Sequence, residues 1–221
     1  MDLTIEDARR FVAETALWPT ARDFLWDFAP QIHASWLEGL GLEALDETLA
    51  SRLASSPRAK CFILQSLGVA PVFHVFPKDD SSRLLLLDGK TLLEICKWLG
   101  VLACAQTLRH VTAGSAVRAL KAAFPGVYPE AFAFSAYFKS LKTPDTSLPE
   151  GDALADGVLA TGCRILLKTV SRLDDGLLMR FRMKLPKALS ALEPMDIKPS
   201  GANIPLLLKL KFPEAYALCC S

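Results

Sequence analysis

Three histidines, six cysteines and one glycine run are the residues from which chemistry would have to be built in this chain. His33, His74 and His110 are scattered, one per region, and none neighbours a GxSxG nucleophile motif. Triads assemble across a fold, so a small helical hydrolase with a cryptic site stays open as an alternative. The cysteines form no CxxC and no zinc-ligand spacing with histidine. Cys61, Cys96, Cys104 and Cys163 sit among apolar residues, where a reduced thiol behaves as a small core side chain. Gly39-Leu-Gly41-Leu-Glu-Ala44 spells the GxGxxA of a dinucleotide site. That site needs a strand before it, a helix after it and an acid about 20 residues on. Here Trp36-Leu37-Glu38 reads as helix or turn and the acid is missing, so the glycines read as a loop between helices. No GxxxxGK[ST] occurs, and the carboxylates fall mostly at helix caps and on polar faces. The residues therefore predict a non-enzyme with no cofactor and no metal.

Charge is the remaining chemical signal. The chain carries a net +1, yet residues 1–56 hold ten acids against four bases and residues 57–221 hold fourteen against twenty-one. The densest basic stretch is Arg164, Lys168, Arg172, Arg180, Arg182, Lys184 and Lys187, interrupted only by Asp174 and Asp175. One reading lays the acidic front half on the basic back half of the same molecule. The other gives the two regions different partners. Arg164, Lys168 and Arg172 recur every four residues, the spacing of one helix face, and are the candidate contacts for an acidic protein partner. A plain solvated face is the alternative. The pI near 7.6 and the lack of interleaved exposed aromatics argue against nucleic acid. Trp18, Trp26 and Trp36 cluster in the acidic part. They read as core, with Trp18 and Trp26 also candidate interface anchors.

Hydrophobic residues make up 51% of the 221 and mean hydropathy is +0.27, apolar enough to suggest surface covered by a partner. No uninterrupted apolar run reaches the roughly 18–20 residues of a membrane span. The start, MDLTIEDARR, carries Asp2, Glu6 and Asp7 instead of a basic segment and apolar stretch. The expectation is a cytoplasmic protein.

Periodicity and punctuation predict a mainly α fold: a compact multi-helix domain of short, proline-broken helices with at most one small β element. Capping patterns at Thr4/Asp7 and Thr20/Asp23 open two helices, with Trp18-Pro19 stopping the first; a third covers Leu42–Ala54. Ser56-Pro57 and Gly68 bound a helix over Pro57–Leu67. Val69–Phe76 reads as an extended segment, and Leu84–Leu87 as its partner strand or a lead-in. Asp88 caps Gly89–Leu99, which Gly100 ends or kinks before Val101–Val111 continues. Further helices cover Ser115–Phe124, Pro129–Leu141, Asp152 to about Leu173 and Leu206–Lys211, the last ended by Pro213. Residues 177–185 fit either a strand, by strict alternation, or a helix capped by Asp175. Residues 1–221 form a single helical domain; 142–151 (KTPDTSLPEG when read from Lys142) is a loop or a lobe boundary.

Two blocks carry a resemblance. LEICKWLGVLACAQTLRHV (Leu93–Val111), with its Leu99-Gly100 step and Arg109, is followed by Ala155–Arg172, RFRMKLP (Arg180–Pro186), Lys209-Leu-Lys-Phe-Pro213 and a tail containing Cys219. This pattern resembles the type III secretion sorting-platform adaptor family, the YscK-like accessory proteins. The resemblance implies a non-enzymatic adaptor at the cytoplasmic face of the inner membrane, reaching the membrane through partners only. It would bridge the cytoplasmic domain of the inner-membrane ring protein to the sorting-platform scaffold, and through the scaffold serve the stator and ATPase. An effector chaperone is a further alternative, although such chaperones are usually smaller, acidic and dimeric.

Overall fold

The computed structural model describes residues 18–38, 40, 56–69, 83–138, 141, 148–149, 151–195 and 203–220, leaving aside the side chains of Trp18, Trp26, Asp152 and Cys220. Among these residues the structure is helical, with no strand. The expected helices near Thr4 and over Leu42–Ala54 lie outside the described residues, as does Val69–Phe76 beyond Val69. The chain divides into two compact units. Unit 1 comprises Met1–Gly89, Leu173–Lys187 and Glu214–Ser221; unit 2 comprises Lys90–Arg172 and Ala188–Pro213. The segment 142–151 separates neither, because both of its flanks belong to unit 2.

In unit 1, α1 (Trp18–Trp26) begins at the Trp18-Pro19 pair expected to stop a helix. Proline stops a helix entering it but suits the first turn of one leaving it, where no partner for its missing N–H is needed. Phe24, Leu25 and Phe28 are buried, as their spacing predicts. Two 3-10 turns follow, Ala29–Gln31 and Ala34–Trp36. The second is capped by His33, whose Nδ1 accepts from Ser35 N at 3.2 Å. His33 is thus a structural residue. α2 (Pro57–Ser66) starts and ends where Ser56-Pro57 and Gly68 place it, Gly68 taking φ +68° in the left-handed region that favours glycine. Leu84–Leu86 is a buried 3-10 turn, a lead-in and not a strand.

The ambiguous 177–185 segment is helical: α7 spans Asp175–Met183. Its cap is Asp174, one residue earlier than expected, whose Oδ1 accepts from Leu177 N at 3.0 Å. The buried positions Leu177, Arg180, Phe181 and Lys184 follow the helical period, and the alternation of apolar residues is incidental.

Unit 2 is built around α3 (Gly89–Leu108), which it contains from Lys90 onward. The expected break at Gly100 does not occur. By length and composition α3 could cross a membrane, since a few charges spread along an apolar helix do not disqualify it. Yet 67% of its most apolar stretch is buried inside the protein, as in a core helix. Gly100 lets the backbone of α6 (Leu154–Val170) pass close by: a Cβ there would collide with Val158 O. Gly162 does the same from the other side, where a Cβ would collide with Cys96 O and lie 2.6 Å from Gly100 N. Around this crossing sit α4 (Gly114–Ala123), which buries Ala116 and Leu120, and α5 (Val127–Phe134), entered through Gly126 at φ +76°. α5 ends seven residues before the expected Leu141 because Ser135–Phe138 tightens into turns. The short α8 (Lys187–Ser190), of which Lys187 is counted in unit 1, and α9 (Asn203–Lys211) complete the helices of this unit. Pro213 ends α9 as expected, then opens α10 (Pro213–Cys220), a helix the sequence reading missed.

Candidate functional site: a basic face and two buried cations

The thiols fall where core side chains belong. Cys96, Cys104, Cys163 and Cys219 are buried free cysteines and Cys61 is exposed. The Cys96 thiol is pushed well up by its contact with Cys163 and by burial, and burial raises Cys104 to about 11 against a small lowering from Thr161. Neutral thiols of this kind are poor nucleophiles. His110 lies exposed just past α3, and His74 is outside the described residues. Of the GxGxxA run, Gly39 and residues 41–44 also lie outside them; the preceding Ala34–Trp36 is a 3-10 turn and not the strand that a dinucleotide site requires. Among the described residues no three His, Cys, Asp or Glu side chains gather as a metal site.

The basic stretch splits into two kinds of residue. Arg164 and Lys168 lie one turn apart on α6, and Arg172 follows in the turn after it. Arg164 and Lys168 therefore share one side of α6, while Arg172 lies past its C-cap, Ser171. Arg164 is half-buried, its Nε donating to Glu193 O at 3.0 Å while Met195 N donates back to Arg164 O at 3.3 Å. Lys168 is half-buried and Arg172 exposed. Apolar neighbours at Ile165, Leu166, Leu167 and Val170 face inward, which is why a four-residue spacing of bases is left outside.

Arg180 and Lys184 are different. Both belong to unit 1, and both are buried, at 2% and 1% exposure. Arg180 Nη1 donates to Phe24 O at 3.1 Å and Leu25 O at 3.2 Å, and its guanidinium lies 5.2 Å from the Phe28 ring centre. These carbonyls sit in the last turn of α1, which has no helical N–H left to satisfy them. Lys184 Nζ donates to Leu85 O at 2.6 Å and Leu87 O at 2.8 Å, over the Phe24 ring at 4.6 Å. Burial pulls its pKa down to about 7, against an opposing pull from the Asp88 carboxylate. Burial also lowers Arg180. Two of the seven cations in the basic stretch are therefore interior. Most of the front-half acids lie outside the described residues, and at this contact α7 reaches α1 through main-chain carbonyls. One front-region carboxylate, Asp27, does meet a base of the later region, Lys60, at 2.6 Å.

Trp18 opens α1 and Trp26 closes it, their side chains lying outside the described set. Trp36 is held internally, its Nε1 donating to Leu185 O at 3.0 Å and Lys187 lying 5.7 Å from its ring centre. The interior role of Arg180 and Lys184 was missed from the sequence. The available signal was their four-residue spacing on the same helical face as Leu177 and Phe181. Compared with protein-family profiles, curated proteins and solved structures, the chain matches none.

Proposed function

We propose that this chain is a non-enzymatic adaptor that works through protein surfaces, and that it serves a bacterial type III secretion injectisome. In this role it bridges the cytoplasmic domain of the inner-membrane ring protein to the sorting-platform scaffold, and so to the stator and ATPase. The reading rests on the resemblance carried by Leu93–Val111 and Ala155–Arg172. The observation that carries it furthest is where those segments lie. They form the two helices that cross at Gly100 and Gly162, while Arg164 and Lys168 are half-buried on the outer side of α6 and Arg172 is exposed. An apolar pattern held for packing, with an open charged side, suits a protein that offers surfaces to other proteins. It is placed at the cytoplasmic face of the inner membrane through those partners.

The test is a deletion strain of the source organism carrying fluorescent scaffold and ATPase. Membrane rings are expected to persist, scaffold and ATPase foci to disappear, and secretion to stop. Scaffold foci at normal density in the deletion strain would refute the bridging role.

A further inference from the structure

We infer that the turn following α5 in unit 2 presents a second docking surface, shaped for an acidic protein segment that carries an apolar anchor. Tyr137 is 72% exposed, the most exposed large hydrophobic side chain among the described residues. Its ring rests against one neighbour. Its N–H donates to Phe134 O at 2.9 Å, and its ring centre lies 6.2 Å from that of Phe134. Phe134 leans on Trp98, at 6.5 Å, which is 6% exposed and anchored in α3. Lys211 closes the other side, its ammonium 4.5 Å from the Phe134 centre and 4.9 Å from that of Trp98. An aromatic side chain offers a large contact area with only two torsions to fix on binding, which is what makes a good anchor.

The charges around it select the partner. Lys211 is satisfied by Glu130 Oε2 at 2.6 Å, so that pair adds no net charge. Arg109 is exposed and donates from Nη2 to the neutral Ser135 Oγ at 3.3 Å, two residues from Tyr137. A guanidinium with five N–H donors and only a hydroxyl as its recorded acceptor suits a carboxylate, which it can grip with two parallel bonds. Exposed His110 adjoins it in sequence. The fitting occupant is therefore an acidic segment placing a carboxylate on Arg109 and an apolar side chain against Tyr137. Single-stranded nucleic acid also stacks on aromatics beside cations. Glu130 beside the rings and the near-neutral pI disfavour it.

The inference rests on the adaptor reading, and its test separates the two. Full-length chain, wild type and the variants Tyr137→Ala, Tyr137→Phe and Arg109→Glu, is titrated calorimetrically with the ring protein's cytoplasmic domain, with the scaffold protein and with a single-stranded oligonucleotide, each at low and high salt. Both positions are exposed, so melting temperatures should match wild type. One protein partner is expected to lose tenfold or more in affinity with Tyr137→Ala and to keep it with Tyr137→Phe. The same partner should weaken with Arg109→Glu, more at low salt than at high, while the other partner is untouched. If both partners bind every variant within twofold of wild type, this face is idle and the adaptor reading survives without it. Oligonucleotide binding lost in both Tyr137→Ala and Arg109→Glu would reassign the face. Failure of both partners to bind wild type would overturn the adaptor reading and this surface with it.

Discussion

The two units differ in what their basic residues do. Unit 1 brings short elements together, and short elements leave main-chain carbonyls facing inward without helical partners; Arg180 and Lys184 meet those carbonyls with buried cations over aromatic rings. In unit 2 no cation is fully buried among the described residues, and its two long helices touch backbone to backbone at Gly100 and Gly162. The lesson concerns what a basic residue means. On α7 a base at helical spacing is a core component because its neighbours cannot saturate their own carbonyls. On α6, where they can, the same spacing leaves bases for solvent and partners.

The sharpest way to break this contrast is Gly162→Ala. Helix propensity alone favours the alanine by about 1 kcal/mol. The added Cβ meets the Cys96 carbonyl and the Gly100 nitrogen, both backbone atoms that cannot swing aside. A net loss of about 3 kcal/mol or more is expected from overpacking, read by urea denaturation. A stabilised variant would mean that the helices do not cross this closely.

Next in size is Arg180→Ala, which takes a buried donor from the Phe24 and Leu25 carbonyls and removes the contact with Phe28. A loss of about 2–4 kcal/mol is expected, since each buried polar group left without a partner costs roughly 1–3 kcal/mol. Arg172→Ala, the exposed counterpart in unit 2, should stay within about 0.5 kcal/mol of wild type. Equal effects at the two positions would erase the distinction between the units.

Lys184 sharpens the same distinction through pH. Its folded-state pKa, drawn down to about 7 by burial, lies below the roughly 10.4 of an unfolded lysine. Between those values the unfolded chain still holds a proton that the folded chain has released, so this residue's contribution to stability rises with pH across the window. The neutral amine retains two N–H groups, enough for Leu85 O and Leu87 O. Lys184→Met loses both bonds at every pH, but near pH 7 and below it also escapes the cost of a buried charge. Its stability deficit relative to wild type, about 1–3 kcal/mol when the amine is neutral, should therefore widen from pH 7 to pH 10. A deficit that is flat or narrows over that range would show that the ammonium keeps its proton inside the fold.

What the sequence disclosed follows from how local each decision was. The limits of α2 were legible because Ser56, Pro57 and Gly68 act through their own backbone preferences. The all-helical fold was legible from recurring apolar spacing. The sense of a proline was not, because Pro19 and Pro213 can end one helix or begin the next, and only the chain beyond decides which. Residues 177–185 stayed ambiguous because Leu177, Phe181 and Leu185 satisfy both periods; the Asp174 cap and the carbonyls waiting for Arg180 and Lys184 chose the helix. Those carbonyls come from residues far away in sequence, so no local pattern could have reported them. On the candidate face the spacing of Arg164 and Lys168 matches their shared side of α6, Arg172 falls beyond the helix, and the bond from Arg164 to Glu193 O again depends on a distant segment.

The smallest stability effect is expected from that face itself. An exposed charge contributes only about 0.2–1 kcal/mol through pairing, and more to association rate and salt sensitivity. Arg172→Glu alone should be nearly silent. The triple reversal Arg164→Glu, Lys168→Glu, Arg172→Glu should lower stability by about 1 kcal/mol, chiefly through the lost bond to Glu193 O. It should weaken one protein partner, more strongly at low salt, and spare the other. Because Tyr137 and Arg109 belong to a separate cluster, the partner that tolerates the triple reversal should be the one that loses affinity with Tyr137→Ala. Calorimetric titration of both partners against both variants makes this a two-by-two pattern. If one partner fails with both variants, the two clusters serve a single interface. If neither partner responds to the triple reversal, the α6 bases are a solvated face. A collapse of the melting temperature would make them part of the interior scaffold, as Arg180 is in unit 1, and the contrast between the units would be lost.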